Sequence, residues 1–497
     1  MKKKSFHLLL CALAVAMLCP LLFACGSRKE PVTNDATVET QRQYRDDITQ
    51  TFPGQEIHFI SRVFDWYRKE VTVAQDDLEN PVDEAVYARQ LEVEQRLDVL
   101  IENKLVEGTG TAGYSKVVEA VINDVSANTH LYDIAVNNMY HTMEVVSDGM
   151  FMNLYEVPNL TLSKPYYSQY YNEQATVSNK LYSTTGDASL TFIRFAMVTF
   201  FNKKIQADYK LENFYEVVED GDWTMDYQLA LVRDLYADKN GNGEVDEDDL
   251  FGFITNKVTG VDPYTSALQM NMVGRDDSGK LVNVVEGNLG HFSDALEKVL
   301  NLYAAEGTYI LAHQKDDGEF TKAKEMFSRD RALFTTLRLD ACEDYLLRNM
   351  TSDYGVLPIP KFSAEQEQYY SYCHDLFSVY CVCSNIEESR LPAVGAALEV
   401  FFSHSEKCRH YLFEVALKVK YQRSEEASRI LDLVIDNVKI DTGWIYSGKL
   451  SDFALVFRDA VEKESKNFNG YWRAQGPGFV ILIQQLQELF DREAAAD

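Results

Sequence analysis

Beyond residue 44 the chain runs for about 450 residues without a Pro/Gly-rich linker. That unbroken length constrains the fold most, because a single hydrophobic core stops growing well below it, so two lobes are expected. The apolar patterning is mixed along the whole stretch. Glu56 to Arg62, "EIHFISR", alternates and reads as a first strand, and "YDIAV" (Tyr132 to Val136) reads as a short buried one. Asp83 to Glu102 carries Val86, Val93, Leu97 and Leu100 on one face, which predicts a helix, with Glu92 four residues before Arg96 on its exposed side. Leu190 to Lys204 is apolar enough to be strand, helix or both, and "YGVLPIP" (Tyr354 to Pro360) is a strand closed by prolines. Ala393 to Ser403, Tyr411 to Val419 and Phe479 to Glu493 read as helices. Strands alternating with helices, with few hairpin signals, point to α/β lobes.

The first residues constrain location rather than fold. Lys2, Lys3 and Lys4 precede an uncharged apolar stretch from Leu8 to Phe23, the length of an export-signal core and short for a membrane span. It ends in "LFAC" before Gly26 and Ser27, which resembles a bacterial lipobox with Leu22 at −3, although Phe23 at −2 is bulkier than that pattern prefers. Residues 1–24 therefore read as a lipoprotein signal peptide and Cys25 as the lipidated first residue of the mature chain; an uncleaved anchor is the alternative. Either reading places the body outside the cytoplasmic membrane. Residues 25–51 form a polar tether that holds the body near the membrane without inserting it. The formal net charge is −29 with no basic stripe. Nucleic acid is excluded as a partner, since binding it needs clustered Lys and Arg to displace counterions.

Five cysteines remain after Cys25, an odd number that does not suit a disulfide framework. In "CHDLFSVYCVC" (Cys373 to Cys383) the alternation of Phe377, Val379, Cys381 and Cys383 predicts a strand with buried thiols, in preference to a metal site. "GTGTAG" (Gly108 to Gly113) matches a dinucleotide fingerprint with Asp133 downstream, but that acid precedes its strand instead of ending it. No nucleophile elbow, zinc-protease helix or phosphate-binding lysine loop is present, and carboxylates are too abundant for two neighbours to signal glycoside hydrolysis.

The most specific local motif is "DKNGNGEVDEDD" (Asp238 to Asp249). Hard oxygen donors at alternate positions are what a loop needs to wrap Ca²⁺: Asp238, Asn240 and Asn242 at positions 1, 3 and 5, the Glu244 carbonyl at 7, Asp246 at 9 and Asp249 at 12, with Gly243 for the sharp turn. Asp in place of Glu at position 12 is one methylene shorter, which shortens the reach for bidentate binding. A helix precedes the loop and a strand, "LFGFITNK", follows it, so a structural calcium clip is expected, not a paired sensor.

Aromatic residues cluster with polar ones in "FDWY" (Phe64 to Tyr67), "KPYYSQYY" (Lys164 to Tyr171) and "QYYSYCHD" (Gln368 to Asp375). Ring faces stack on sugar C–H faces while neighbouring polar groups bind hydroxyls, a combination suited to a carbohydrate cleft.

The ordered set of lipobox, "SKPYYS", "KLYSTTGD", "FNKK", "DWT", the acidic loop and "DYGVLPIPKFSAEQEQYY" resembles the family 1 extracellular solute-binding proteins, lipid-tethered receptors of bacterial ABC importers. The resemblance implies a two-lobed, periplasmic-binding-protein-like (type II) α/β fold with a ligand cleft between the lobes, lobe one comprising 52–158 and 376–420 and lobe two 159–375 and 421–497. It implies ligand contacts from Asp65, Trp66, Asn137 and Tyr140 in lobe one. Lobe two would add Tyr166, Tyr167, Tyr182, Asp187 and Arg338, with His374 and Asp375 near the return crossover. Tyrosines stand in "KPYYS" where relatives carry tryptophans, so the ligand does not transfer with the motif. The implied protein is a monomeric, non-enzymatic receptor that hands a carbohydrate, an oligosaccharide by preference, to permease subunits. A peptide or amino-acid receptor, a surface glycoside hydrolase and a structural or adhesive lipoprotein are the alternatives.

Overall fold

The computed structural model describes residues 45–63, 69–108, 113, 115–312, 318–413 and 425–493. The signal, most of the tether and Cys25 lie outside the described residues, as do Asp65, Trp66 and most of "GTGTAG". Strand β1 (Gln55–Val63) lies at the centre of a first sheet, parallel to β2 (Val99–Glu107) on one side and to β3 (Ile134–Asn138) on the other. Parallel neighbours need crossover connections, and the helices Pro81–Leu97 and Lys116–Ala127 provide them. The first starts where Asn80 accepts from the N–H groups of Val82 and Asp83, with Pro81 in the first turn. It ends at Leu97, five residues short of the expected Glu102, because Asp98 turns into the left-handed region at φ 54° and "VLIENKLVE" continues as β2.

A second sheet is built from β4 (Met197–Asn202), β5 (Tyr236–Ala237) and β6 (Leu250–Asn256), with β7 (Val273–Arg275) and β8 (Leu281–Asn283) forming a separate hairpin. It is continued by β9 (Thr308–Leu311), β10 (Ala332–Arg338) and β11 (Tyr354–Leu357). Its order is β11-β4-β10-β6-β5, with β9 also on β6; β4 runs antiparallel to β10 and β11, while β6, β9 and β10 are parallel. The ambiguous segment Leu190 to Lys204 is both things, a helical turn at Leu190–Arg194 and then β4. β12 (Ser378–Val382) then returns antiparallel to β3 and completes the first sheet as β12-β3-β1-β2. The strand reading of the cysteine-rich segment holds: Val379, Cys381 and Cys383 are fully buried.

Helix Leu391–Ser403 covers the first sheet, with Phe401 against Phe59 at 5.4 Å between ring centroids. The last helix, Phe468–Glu493, passes through Pro477 and seats Phe468 on Phe292 of helix Leu289–Tyr303 (5.3 Å), while Gln487 accepts from Leu281 N–H (2.9 Å). Among the described residues no helix is long and apolar enough to cross a membrane.

Two antiparallel crossovers join the sheets. Thr184 and Tyr380 exchange backbone bonds beside the first sheet, and His374 N–H to Phe195 O (3.0 Å) with Met197 N–H to Tyr372 O (2.8 Å) mark the start of the second. The expected boundary after residue 158 opens a stretch that contacts both bodies. Thr161 N–H bonds Glu399 (3.0 Å) and Tyr167 lies 4.5 Å from Phe402 on the first sheet's side, whereas Lys180 Nζ donates to Phe490 O (3.2 Å) and Thr442 Oγ1 to Gln174 O (2.9 Å) on the second's.

Candidate functional site

Strands β1 and β3 of the first sheet and β6 and β10 of the second send their C-terminal ends toward one set of ionic and aromatic side chains, the place where open α/β sheets bind ligands. Arg62, near the end of β1, is buried and donates from its guanidinium to Leu376 O. β3 ends in Asn137 and Asn138, and Asn138 caps the helix Met139–Glu144 by accepting from His141 N–H (2.9 Å). That cap turns the chain so that Tyr140 N–H meets Asp375 O (3.2 Å) while its phenol O–H donates to Asp452 Oδ1 (2.9 Å). Burial lowers the His141 pKa, and the Arg62 charge adds to the effect.

The second sheet contributes from its own strand ends. Arg338, the last residue of β10, has its guanidinium 4.9 Å from the Phe195 ring and 5.2 Å from Phe320, with Asp340 at 3.4 Å. The loop after β6 carries buried Asp262, which takes a two-pronged contact from Arg458, with Nε at 3.0 Å. Between the sheets, His374 Nδ1 lies 3.5 Å from Asp375 Oδ1. Burial and the surrounding Arg338, Arg458 and Arg62 charges keep the His374 ring neutral, well below its ordinary value. Asp375 moves the other way, up to about 7, through burial and the Asp262 charge, opposed by Arg458.

Of the expected residues, the structure thus brings together Asn137, Tyr140, Arg338, His374 and Asp375. Asn137 is nearly inaccessible (2 % exposed) at the β3 corner, where Asn138 Nδ2 donates to it. Asp65 and Trp66 lie outside the described residues. Tyr166, Tyr167, Tyr182 and Asp187 lie in other surroundings. Tyr166 and Tyr167 are buried and donate to the two carboxylate oxygens of Glu399, the latter at 2.8 Å. Tyr182 is buried with Phe490 at 5.7 Å, and Asp187 faces Arg409 at 3.6 Å. For Tyr166 and Tyr167 the reason is that "KPYYS" packs against helix Leu391–Ser403 and its phenols satisfy a buried glutamate. Sequence reading missed Arg62, His141, Asp262, Asp452 and Arg458. Arg62 was signalled only as the charged end of an apolar strand, and the other four had no local signal.

The acidic loop is ordered by its own side chains. Asp238 accepts from Gly241 and Gly243 N–H (2.6 and 2.9 Å), and the Asn240 and Asn242 amides donate to Asp246 (3.0 and 2.7 Å). The Asp248 N–H and those amides hold the Asp246 carboxyl below its usual range. Gly243 adopts φ 76°, which favours glycine. Asp249 is fully buried and accepts from Lys239 N–H, Tyr236 O–H (both 3.0 Å) and Asp246 N–H (3.2 Å). The Asn240 and Asn242 amide oxygens accept from Asn242 and Glu244 N–H (3.0 and 2.7 Å), so Asp238, Asn240, Asn242 and Asp246 are the oxygen-bearing side chains that would hold a hard cation only after these amides turn from their present partners, with Glu244 offering its backbone. Asp249 is committed to closing the base of the loop. Among the described residues no three His, Cys, Asp or Glu side chains form a metal-holding group.

No protein-family model and no curated protein matches the sequence. Solved structures do match. The cyclic α-maltosyl-1,6-maltose binding protein of Arthrobacter globiformis aligns over 87 % of this chain and 100 % of its own, at 14 % identity and TM-score 0.56. An ABC transporter solute-binding protein of Thermotoga lettingae, bound with α-D-tagatose, aligns over 87 % and 100 % at 10 % identity and TM-score 0.53. An ABC substrate-binding protein of Listeria monocytogenes, in complex with cycloalternan, aligns over 89 % and 100 % at 11 % identity and TM-score 0.50. At these identities the likeness is one of fold: the chain has the two-lobed, periplasmic-binding-protein-like α/β fold of the ABC-transporter solute-binding proteins.

Proposed function

We propose that this protein is the substrate-binding component of a bacterial ABC importer, capturing a carbohydrate between its lobes and delivering it to membrane permease subunits without chemical change. The observation that carries this reading is the convergence of strand ends from both sheets on Arg62, Tyr140, His374, Asp375, Asp452 and Arg458. Such a set offers both donors and acceptors to hydroxyl groups. It includes one bond, Tyr140 to Asp452, that joins the two sides and that a ligand can replace. The solved structures named above were determined with tagatose or a cyclic oligosaccharide, or belong to a protein named for one, which supports a sugar as cargo. Lipid on Cys25 would hold the receptor on the extracytoplasmic face, and the acidic loop would clip one Ca²⁺ as a structural ion.

The test is thermal unfolding of the soluble chain starting at Gly26 against monosaccharides, linear and cyclic oligosaccharides, and short peptides. A ligand at about 100 times its Kd adds roughly 2.7 kcal/mol of stability. A rise in Tm with one sugar class supports the reading and names the cargo. A rise with peptides alone replaces it with a peptide receptor, and the absence of any rise removes the sugar assignment.

A further inference from the structure

Glu70 is a buried carboxylate (6 % exposed) that the ligand cluster does not use. Its oxygens accept the Thr191 hydroxyl (3.2 and 3.1 Å), the Thr191 N–H (3.4 Å) and the Ser378 hydroxyl (2.9 Å). Thr191 lies in the helical turn inside the first crossover, and Ser378 opens β12 at the end of the second. The two crossovers also touch directly there: Ser378 N–H donates to Thr191 Oγ1 (2.9 Å), and Thr185 Oγ1 donates to Ser378 O (3.0 Å). One side chain therefore accepts from both of these crossovers.

Its mount is equally specific. Arg89 (1 % exposed), on helix Pro81–Leu97, donates to Glu70 O (2.5 Å) and Val71 O (3.1 Å), stacks on the Phe401 ring at 3.7 Å, and donates to Ser405 Oγ (2.9 Å). Ser405 leads into helix Glu406–Tyr411, the last described element before the chain returns to the second sheet's layers. Arg62 adds a grip on the second crossover through Leu376 O.

We infer that Glu70 is a positioning residue for lobe closure: seated on the first lobe through Arg89, it holds both crossovers in one register and so fixes the angle at which the lobes meet. A carboxylate suits the task because it is acceptor-only and can receive every donor present, whereas an amide would turn an N–H toward one hydroxyl and break the set. Domain hinges are a few residues at element ends that absorb the backbone change, and a shared acceptor limits how far two such stretches move independently.

The inference rests on the two-lobed fold and not on the cargo, so its test uses no ligand. Spin labels on cysteines introduced at Glu102 in β2 and Asp294 in helix Leu289–Tyr303, both exposed, report the distance between the lobes in the full chain. The native described cysteines are all buried. Glu70→Gln and Glu70→Ala are expected to broaden the distance distribution, and Ser378→Ala to add nothing further in the Glu70→Ala background. Asn213→Ala, which removes the cap that accepts from Tyr215 N–H on the second lobe without touching a crossover or the Arg89 mount, is expected to lower Tm and leave the distribution unchanged. Should the Glu70 variants fail to fold, Thr191→Val and Ser378→Ala remove the donors singly, and each is expected to broaden the distribution. Unchanged widths in all the Glu70, Thr191 and Ser378 variants, or equal broadening by Asn213→Ala, overturn the inference.

Discussion

Asp375 shows how a few side chains set the chemistry of the space between the lobes. Burial and the Asp262 charge raise its carboxyl to about 7, against 3.8 in an exposed chain, so the folded protein holds a proton that the unfolded chain releases near pH 4. The sign of the linkage follows. Below pH 4 both states are protonated and Asp375 contributes nothing to pH dependence. Between pH 4 and 7 the unfolded state ionises first, so stability falls with rising pH by as much as about 1.4 kcal/mol per unit. Above 7 both states are ionised and the loss stays constant. Asp375→Asn removes this dependence, so relative to the wild type it is expected to be more stable at pH 8 than at pH 5. Unfolding free energies from urea titrations at the two pH values check this, and an equal difference at both would show that Asp375 is ionised across the range. The tyrosines teach the complementary point. "KPYYS" has the composition of a sugar platform, but composition does not distinguish a phenol that meets a ligand from one that satisfies a buried carboxylate. Only the position of Glu399, more than two hundred residues away in sequence, decides it.

At the scale of elements, what was legible in the sequence is what local physics fixes. β1, β3, β11 and β12 are visible because alternation or short apolar runs bounded by turn residues leave little choice. Boundaries were less legible: nothing before Asp98 announces that the helix stops, and the left-handed turn of an aspartate is a local choice that the helical pattern does not encode. The continuation of the last helix through "GPG" is tertiary in origin, since Phe479 stacks on Phe453 at 3.8 Å and holds the turn against its own breakers. The acidic loop is the element with a separable test. Adding Ca²⁺ to calcium-stripped protein is expected to raise Tm, by the equivalent of roughly 2.7 kcal/mol at 100 times the Kd. Asp238→Ala with Asp246→Ala is expected to abolish the rise and leave ligand-induced shifts in place. If stripped protein shows no rise, the loop is held by its Asp–amide bonds alone.

For the whole molecule the decisive feature is that neither lobe is contiguous. The first sheet is finished by β12 and covered by helix Leu391–Ser403, both of which follow the entire second sheet in the chain. The second sheet's layers are in turn finished by helices Glu425–Asp436 and Phe468–Glu493. This order also explains why the candidate site was only half readable: Asp452 and Arg458 reach it from a C-terminal segment whose local sequence says nothing about Tyr140 or Asp262. The same order makes a physical prediction. A fragment of residues 46–370 keeps every strand except β12, yet it loses Val394, Leu398, Val400, Phe401 and Phe402, all fully buried on the first lobe. At about 1.5–3 kcal/mol per buried side chain, that deficit is comparable with the roughly 5–15 kcal/mol by which a domain is stable at all. The fragment is therefore expected to show no cooperative thermal transition by near-ultraviolet circular dichroism, and adding residues 371–497 in trans to restore one. A cooperative transition in the fragment alone would mean that β12 and its covering helix are appendages to a lobe already stable without them. In that case the crossovers that Glu70 holds would join finished lobes, and a ligand could move them without loosening either core.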